Sequence, residues 1–282
     1  MTAATRSSQN GPTAAAEVVD SRPVTVPDFL SARARGQRLT MLTCYDYTMA
    51  RLLDAAGVDG LLVGDSLGMV IQGRPDSLAV TLDEMIYHTR LVARGAKRSL
   101  VVTDMPFMSF QVSPQQAVEN AGRILKEGGA QAVKLEGGVR SVPAIKAITA
   151  ADISVVGHIG LTPQSVRRFG GFKVQRDVER LLEDAQAVEE AGAFALVVEC
   201  VPAEVARRIT ESVKSPTIGI GAGPGCDGQV LVTHDILGLF DELRPRFVKQ
   251  YAELGQEVRR GAEEYCREVR AGTFPAAEHS FR

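Results

Sequence analysis

Short apolar runs and helix-periodic stretches alternate along this chain with little in between, and that alternation limits the fold more than any other feature. The runs are Leu39 to Tyr45, Gly60 to Ser66, Leu100 to Thr103, Ala132 to Leu135, Ile153 to Gly157, Ala195 to Val198, Pro216 to Ile220 and Gln229 to Val232. A run such as Leu61-Leu62-Val63 is apolar at consecutive positions, as strands buried on both faces are. The segments between them carry helix signals. Thr81-Leu82-Asp83-Glu84 reads as a capping box, Ser113-Pro114 and Pro202 open helices, and Gly57 and Gly128-Gly129 close them. Strands joined by one helix-length connection each run parallel with right-handed crossovers. Eight such strands predict a closed (β/α)8 barrel of the TIM type. A doubly wound open sheet is the alternative, weakened because no Gly-x-Gly-x-x-Gly follows the first strand.

A chain of 282 residues suffices for one such barrel, which typically takes about 250 residues. Residues 1–24, rich in Ala, Thr and Ser, read as a disordered tail, and residues 25–282 as a single barrel domain with helices at both ends. The first helix runs from Thr25 toward Gly36. At the other end Phe247, Val248, Tyr251, Leu254, Val258, Ala262, Tyr265 and Val269 step by threes and fours, predicting a helix of about 25 residues. Its apolar face is expected to pack on another subunit, to add a layer to its own barrel, or to cap the barrel bottom. A net charge of −2 and the absence of Trp argue against a nucleic-acid surface. No apolar run reaches the roughly 18 residues of a membrane span. Cys44, Cys200, Cys226 and Cys266 form no CxxC pair, a usage that fits a reducing cytoplasm.

The chemistry lies where the runs end, because the carboxyl ends of all strands in a barrel meet at one mouth. Asp65, Asp104, Glu136 and Glu199 follow the second, third, fourth and sixth runs, and His158 follows the fifth. Lys134 stands two residues before Glu136, so strand alternation puts both on one face. Any one acid at a strand end reads equally as a turn former or helix cap. Together they are harder to dismiss, since two carboxylates about 4 Å apart repel by roughly 4 kcal/mol at an effective dielectric near 20. Lys134 offsets one charge, and a divalent ion would offset two more. An all-oxygen donor set with few histidines favours Mg²⁺ with retained water and substrate oxygens. His158 is open to three roles: metal ligand, substrate contact or structural ring. Ile218-Gly219-Ile220-Gly221-Ala222-Gly223 reads as an anion loop or as a tight turn that allows close backbone approach. Asp76 and Asp83 read as solvated or capping residues.

Five stretches resemble the ketopantoate hydroxymethyltransferase family. They are Val63-Gly64-Asp65-Ser66-Leu67-Gly68, Val133 to Gly138, Gly157-His158-Ile159-Gly160-Leu161-Thr162-Pro163-Gln164-Ser165, Glu199-Cys200-Val201-Pro202 and Ile218 to Gly223. They stand in register from about Val26 to Phe281. The resemblance implies a Mg²⁺-dependent barrel enzyme that moves a one-carbon unit from 5,10-methylenetetrahydrofolate to 3-methyl-2-oxobutanoate, giving 2-dehydropantoate on the route to pantothenate. It also implies a homo-oligomer, typically a decamer of two five-membered rings. On this resemblance Asp65 and Asp104 would ligate the metal, with Glu136 completing the shell directly or through water. Lys134, Ser66 and His158 would contact the substrate, and Glu199 would remove the C3 proton. Docking of the pterin near Phe169 to Phe172 or Met69-Val70 is a further expectation. Two rivals remain at this level: a Mg²⁺-dependent lyase or mutase of the phosphoenolpyruvate mutase and isocitrate lyase kind, and a catalytically silent barrel that serves as an oligomeric scaffold. The first lacks its Lys-Cys-Gly-His-type loop motif in this chain.

Overall fold

The computed structural model describes residues 22–242 and 245–281. Eight parallel strands close into one barrel, each bonded to the next and β8 back to β1. In chain order the elements are α1 Val26–Ala32, β1 Leu39–Thr43, α2 Tyr47–Ala55, β2 Gly60–Val63, α3 Leu67–Val70, α4 Leu82–Gly95, β3 Leu100–Asp104 and α5 Pro114–Arg123. Then come β4 Ala132–Glu136, α6 Val142–Thr149, β5 Val155–Gly160, α7 Val166–Phe169, α8 Val178–Glu190 and β6 Ala195–Glu199. The chain ends with α9 Ala203–Ser212, β7 Thr217–Ile220, β8 Gly228–Leu231, α10 Thr233–Ile236 and α11 Leu254–Ala271. The closed barrel is therefore the fold, and the open-sheet alternative falls.

Local chemistry explains the helix starts. Thr81 and Glu84 form the anticipated reciprocal cap of α4. Asp46, Ser113 and Asp177 accept from backbone N–H groups at the starts of α2, α5 and α8.

Two apolar layers follow from strand alternation. Leu39, Met41, Leu62, Leu100, Val102, Ala132, Val156, Val197, Ile218 and Val230 belong to one buried cluster, which fills the barrel interior. Val24 and Phe29 of the amino-terminal segment join it, and the Phe29 ring meets Phe194 edge-on at 6.1 Å, so α1 plugs the end opposite the mouth. The outward-facing residues, such as Leu61, Val63, Val101, Val133 and Val198, pack against the helical ring in the other cluster. The anticipated tail lies, through residue 21, outside the described residues; Val24 is buried, and its N–H donates to the Arg98 carbonyl.

Two expectations need correction. The fifth strand starts at Val155 rather than Ile153 and runs on to Gly160, so His158 lies inside it instead of closing it. The carboxy-terminal helix has 18 residues, not about 25, and none of them is buried. Phe247, Val248 and Tyr251 precede it in non-helical chain, with Val248 buried and the Tyr251 N–H donating to the Ile236 carbonyl. Tertiary packing, not helix periodicity, accounts for that part of the pattern.

The same substitution should act in opposite directions on the barrel wall and on its surface. A Cβ at Gly157 of β5 would collide with Val188 of α8, which is fully buried, whereas one at Gly122 of α5 meets nothing within 4 Å. Gly157→Ala should cost about 1–3 kcal/mol. Gly122→Ala should gain up to about 1 kcal/mol through helix propensity. Thermal unfolding of the two variants beside the parent checks both signs.

Candidate active site

Strand alternation carries the lumen pattern upward until it turns polar. Val102 is followed two residues on by Asp104, Ala132 by Lys134 and then Glu136, Val156 by His158, and Val197 by Glu199. Each pair shares a face, so the side chains that cap the apolar interior are charged or titratable. Strand register then sets neighbours beside one another, with Asp104 opposite Lys134, Glu136 opposite His158, and Gly160 opposite Glu199. Asp65 follows β2 and reaches the same place, its N–H donating to Asp104 Oδ2 at 3.1 Å. The structure thus brings together six of the residues singled out in the sequence: Asp65, Asp104, Lys134, Glu136, His158 and Glu199. Only Glu199 keeps appreciable contact with solvent, its side chain being 15% exposed.

Lys134 is the hub. Its ammonium lies 2.8 Å from Asp104 Oδ1 and 3.2 Å from His158 Nδ1. An ammonium has only donors, so Nδ1 accepts and the proton of the neutral ring sits on Nε2. That nitrogen lies 3.0 Å from Glu199 Oε2. Burial, and then the Lys134 charge, push the His158 pKa well below its ordinary value, which keeps the ring neutral. His158 therefore stands between the ammonium and Glu199, bonded to the first through Nδ1, while its buried Nε2 lies near the second without making a hydrogen bond.

Two contributors were not singled out in the sequence. Gln164, in the loop after β5, donates from Nε2 to Asp65 Oδ2 at 3.0 Å and to the Met105 carbonyl at 2.9 Å, while its backbone N–H donates to Glu136 Oε2 at 2.9 Å. Tyr45, beyond β1, is fully buried and shares a 2.8 Å hydrogen bond with Ser66 Oγ. Ser66 thus stands at the edge of the site with its hydroxyl oriented by a phenol. The sequence signal for Gln164 was its place between Pro163 and Ser165 just past a strand end; for Tyr45 it was a phenol at the end of an apolar run.

Electrostatics follow from burial first and from crowding second. Burial, then the Asp104 charge, raises Asp65 to about 7. Burial, then Asp65, raises Glu136 well above the ordinary carboxyl range. Burial lifts Glu199 to about 7, with Lys134 opposing. Burial also works against the Lys134 charge, but Asp104, Glu136 and Asp65 together outweigh it and hold the amine protonated. One buried cation thus faces four carboxyl groups, three of them with raised pKa. That donor set suits a divalent cation, whose charge would relieve Asp65 and Glu136. Among the described residues, no three His, Cys, Asp or Glu side chains are already grouped as a metal shell.

Other candidates lie elsewhere. Asp76 accepts from the Leu78 N–H, and Asp83 pairs with Arg123 on the helical exterior. The glycine run after β7 makes a close turn: a Cβ at Gly221 would crowd Phe247 and one at Gly223 would collide with Ala203. Met69 and Val70 belong to α3, and Phe169 lines a cavity beside the mouth.

Residues 23–277 match the sequence profile of a family described as ketopantoate hydroxymethyltransferase. The chain is 57% identical over 262 residues to a 3-methyl-2-oxobutanoate hydroxymethyltransferase of Clostridium novyi (strain NT), covering 92% of this chain and 95% of that protein. It is 57% identical over 263 residues to the protein of that name from Moorella thermoacetica, covering 92% and 98%. Solved structures that resemble it include a phosphonopyruvate hydrolase complexed with oxalate and Mg++, at TM-score 0.60 and 15% identity over 90% of this chain and 92% of that one. A 2,3-dimethylmalate lyase of the PEP mutase/isocitrate lyase superfamily matches at TM-score 0.57 and 17% identity, over 91% of each chain. At such identities the likeness is one of fold alone, so the lyase and mutase rival shares the barrel while the sequence relatives bear the transferase name.

The raised Glu199 pKa has a stability consequence. Between about pH 4 and pH 7 the unfolded chain loses this proton while the folded chain keeps it, so the unfolded state binds fewer protons and stability falls as pH rises through that window. Glu199→Gln removes the penalty. In chelator, the variant should match the parent near pH 4 and exceed it above pH 7 by on the order of 2–3 kcal/mol. Urea unfolding at the two pH values checks the sign.

Proposed function

The chain belongs to the ketopantoate hydroxymethyltransferase family of enzymes, and from that premise we propose that it transfers a hydroxymethyl group from 5,10-methylenetetrahydrofolate to 3-methyl-2-oxobutanoate, yielding 2-dehydropantoate for pantothenate synthesis. The observation that carries this reading is a carboxyl group with a pKa near 7, Glu199, set beside an ammonium and an acid pair at one barrel mouth. Removal of a proton next to a ketone needs such a base, poised near neutral pH. It also needs stabilisation of the charge that develops on the ketone oxygen.

Each residue then has a task. Glu199 takes the proton from C3 of the oxo acid. Lys134 holds His158 in the tautomer whose Nε2–H lies nearest Glu199, an unsatisfied buried donor beside the base. Lys134 and Ser66 contact the substrate oxygens, with Tyr45 fixing the rotor of Ser66. Asp65 and Asp104 would hold Mg²⁺, with Glu136 alongside, and the ion would supply Lewis-acid stabilisation of the enolate charge. Of the donor's two C–N bonds, one breaks as water adds its oxygen to the methylene carbon and the other as C3 forms the C–C bond, while the C3 proton and one proton of the water end on N5 and N10 of the folate. Tetrahydrofolate leaves.

We read the working protein as a cytoplasmic homo-oligomer, a decamer of two five-membered rings. The ring number and the compartment rest on the family resemblance; α11 supports only the presence of a partner, since its Val258, Tyr265 and Val269 are 64%, 57% and 44% exposed on a helix with no buried residue. Among the described residues no helix is long and apolar enough to cross a membrane.

With Mg²⁺ and no folate, the enzyme should exchange the C3 hydrogen of 3-methyl-2-oxobutanoate for deuterium in D₂O, and chelation should stop the exchange. Glu199→Gln should slow it by about 10²–10⁴-fold and remove the acid limb near pH 7. Proton NMR of the oxo acid follows both. Undiminished exchange in the variant would refute the role of Glu199, and exchange that survives exhaustive chelation would refute that of the metal.

A further inference from the structure

A cavity of about 400 Å³ opens beside the mouth, between the ends of β4 and β5 and the flank of α8. Its inner edge is Gly137-Gly138 and Ile159-Gly160, the residues that directly follow Glu136 and His158. Three guanidinium groups line it, those of Arg140, Arg168 and Arg180, with Glu183 and Asp184. Asp184 is engaged: its Oδ1 accepts from the Val139 N–H at 2.8 Å, and its Oδ2 lies 3.8 Å from Arg180 Nε. Arg140 donates to the neutral Ser165 Oγ at 2.9 Å. Among the described residues no carboxylate stands within ion-pair distance of Arg140 or Arg168.

Resting on the function proposed above, we propose that this cavity is the anion subsite of the one-carbon donor, and that Arg140 and Arg168 bind the glutamyl carboxylates of its tail. A folate is an elongated molecule with the reactive pterin at one end and carboxylates at the other. Its pterin end must reach the carbon activated by Glu199, so its tail must leave the mouth by some route. The glycine pair after β4 keeps this route open. A side chain at Gly137 would strike Ser141 and come within 2.8 Å of Arg140 Nε, and one at Gly138 would strike Asp184. Ile159 and Phe169 give the passage apolar walls that suit an aromatic linker. The far end carries the charge. Loss of water around its guanidinium, and then the like charges of Arg168 and Arg180, push the Arg140 pKa down, while Glu136 and Asp184 act in the opposite direction. Like charges held together with no carboxylate at ion-pair distance keep part of their repulsion, which an incoming anion relieves. The small oxo acid has no need of this second cationic centre, because Lys134 already serves it at the mouth.

The experiment is steady-state kinetics of the full-length protein with three donors: the mono- and triglutamyl forms of 5,10-methylenetetrahydrofolate, and 5,10-methylenetetrahydropteroate, which lacks glutamate. In the wild type, KM should be lowest for the triglutamyl donor and highest for the pteroate donor. Arg168→Glu should raise KM for both glutamylated donors tenfold or more with kcat within twofold, and change KM for the pteroate donor less than twofold. Arg168 is exposed, so the variant should fold, and Arg168→Lys should restore most of the loss. Equal KM values for glutamylated and pteroate donors in the wild type, or an equal rise for all donors in Arg168→Glu, overturn the subsite. Wild-type exchange of the C3 hydrogen in D₂O separates the levels. If exchange and turnover occur but tail length is without effect, the subsite alone fails; if neither occurs with any donor, the functional reading and the subsite fail together.

Discussion

One ammonium group among four carboxyl groups governs the barrel mouth. Lys134 touches Asp104 and His158, and its charge acts on Asp65, Glu136 and Glu199 as well. At an effective dielectric near 20, each carboxylate about 4 Å from another costs roughly 4 kcal/mol, so a single cation cannot hold all four ionised. Burial raises the pKa of three of them, Asp65, Glu136 and Glu199, and mutual repulsion adds to it at Asp65 and Glu136. Breaking a buried pair by removing its cation costs about 3–5 kcal/mol, because the remaining charge is stranded. The mouth is therefore a region of stored electrostatic cost, tolerable because the interior beneath it is apolar and plugged by α1. Proteins keep such conflicts where function needs them and stabilise the fold elsewhere.

Strand alternation converts that cost into geometry. Each charged side chain stands two residues above a lumen residue, so its direction is fixed by the pleat before any side-chain contact forms. Lateral register then selects which group meets which. Asp104 faces Lys134 because β3 and β4 pair there, and His158 meets Glu136 because β4 and β5 do. Gln164 ties the acids of β2 and β4 through one side chain and its own backbone N–H. Asp104, Lys134, Glu136, His158 and Glu199 stand on strands, so that part of the site depends little on loop conformation, as catalysis by prepositioned groups requires, while Asp65 and Gln164 reach it from the chain beyond β2 and β5.

The strands were legible because burial on both faces leaves consecutive apolar residues, and the acids were legible because a charge at the end of such a run needs a reason. Gln164 and Tyr45 were not. A neutral amide or phenol costs little enough to bury with one partner that its presence raises no question in a sequence. His158 was placed at a strand end instead of within β5 because Gly157 interrupts the apolar run. That glycine serves packing, leaving room for Val188, and does not end the strand. The carboxy-terminal helix was overextended for a related reason. Phe247, Val248 and Tyr251 keep the three-to-four spacing of α11, yet they pack back onto the chain near Gly221 and Ile236, where tertiary contacts override periodicity.

The barrel itself does not decide the chemistry, since hydrolase and lyase structures at 15% and 17% identity share it. What separates functions on one scaffold is the distribution of charge around the strand ends. Here the two signs are unevenly spread: acids crowd the mouth, and three guanidinium groups line the cavity beyond β4 and β5, of which Arg140 and Arg168 have no carboxylate at ion-pair distance among the described residues. A mouth with excess negative charge repels a free carboxylate unless a cation is already in place. A molecule with carboxylates at one end and a neutral reactive group at the other meets the opposite situation, drawn at its tail by the arginines and free to present its uncharged end to the acids. On the proposed function, that distribution of charge would orient two dissimilar substrates in one site without requiring either to be recognised through many specific contacts.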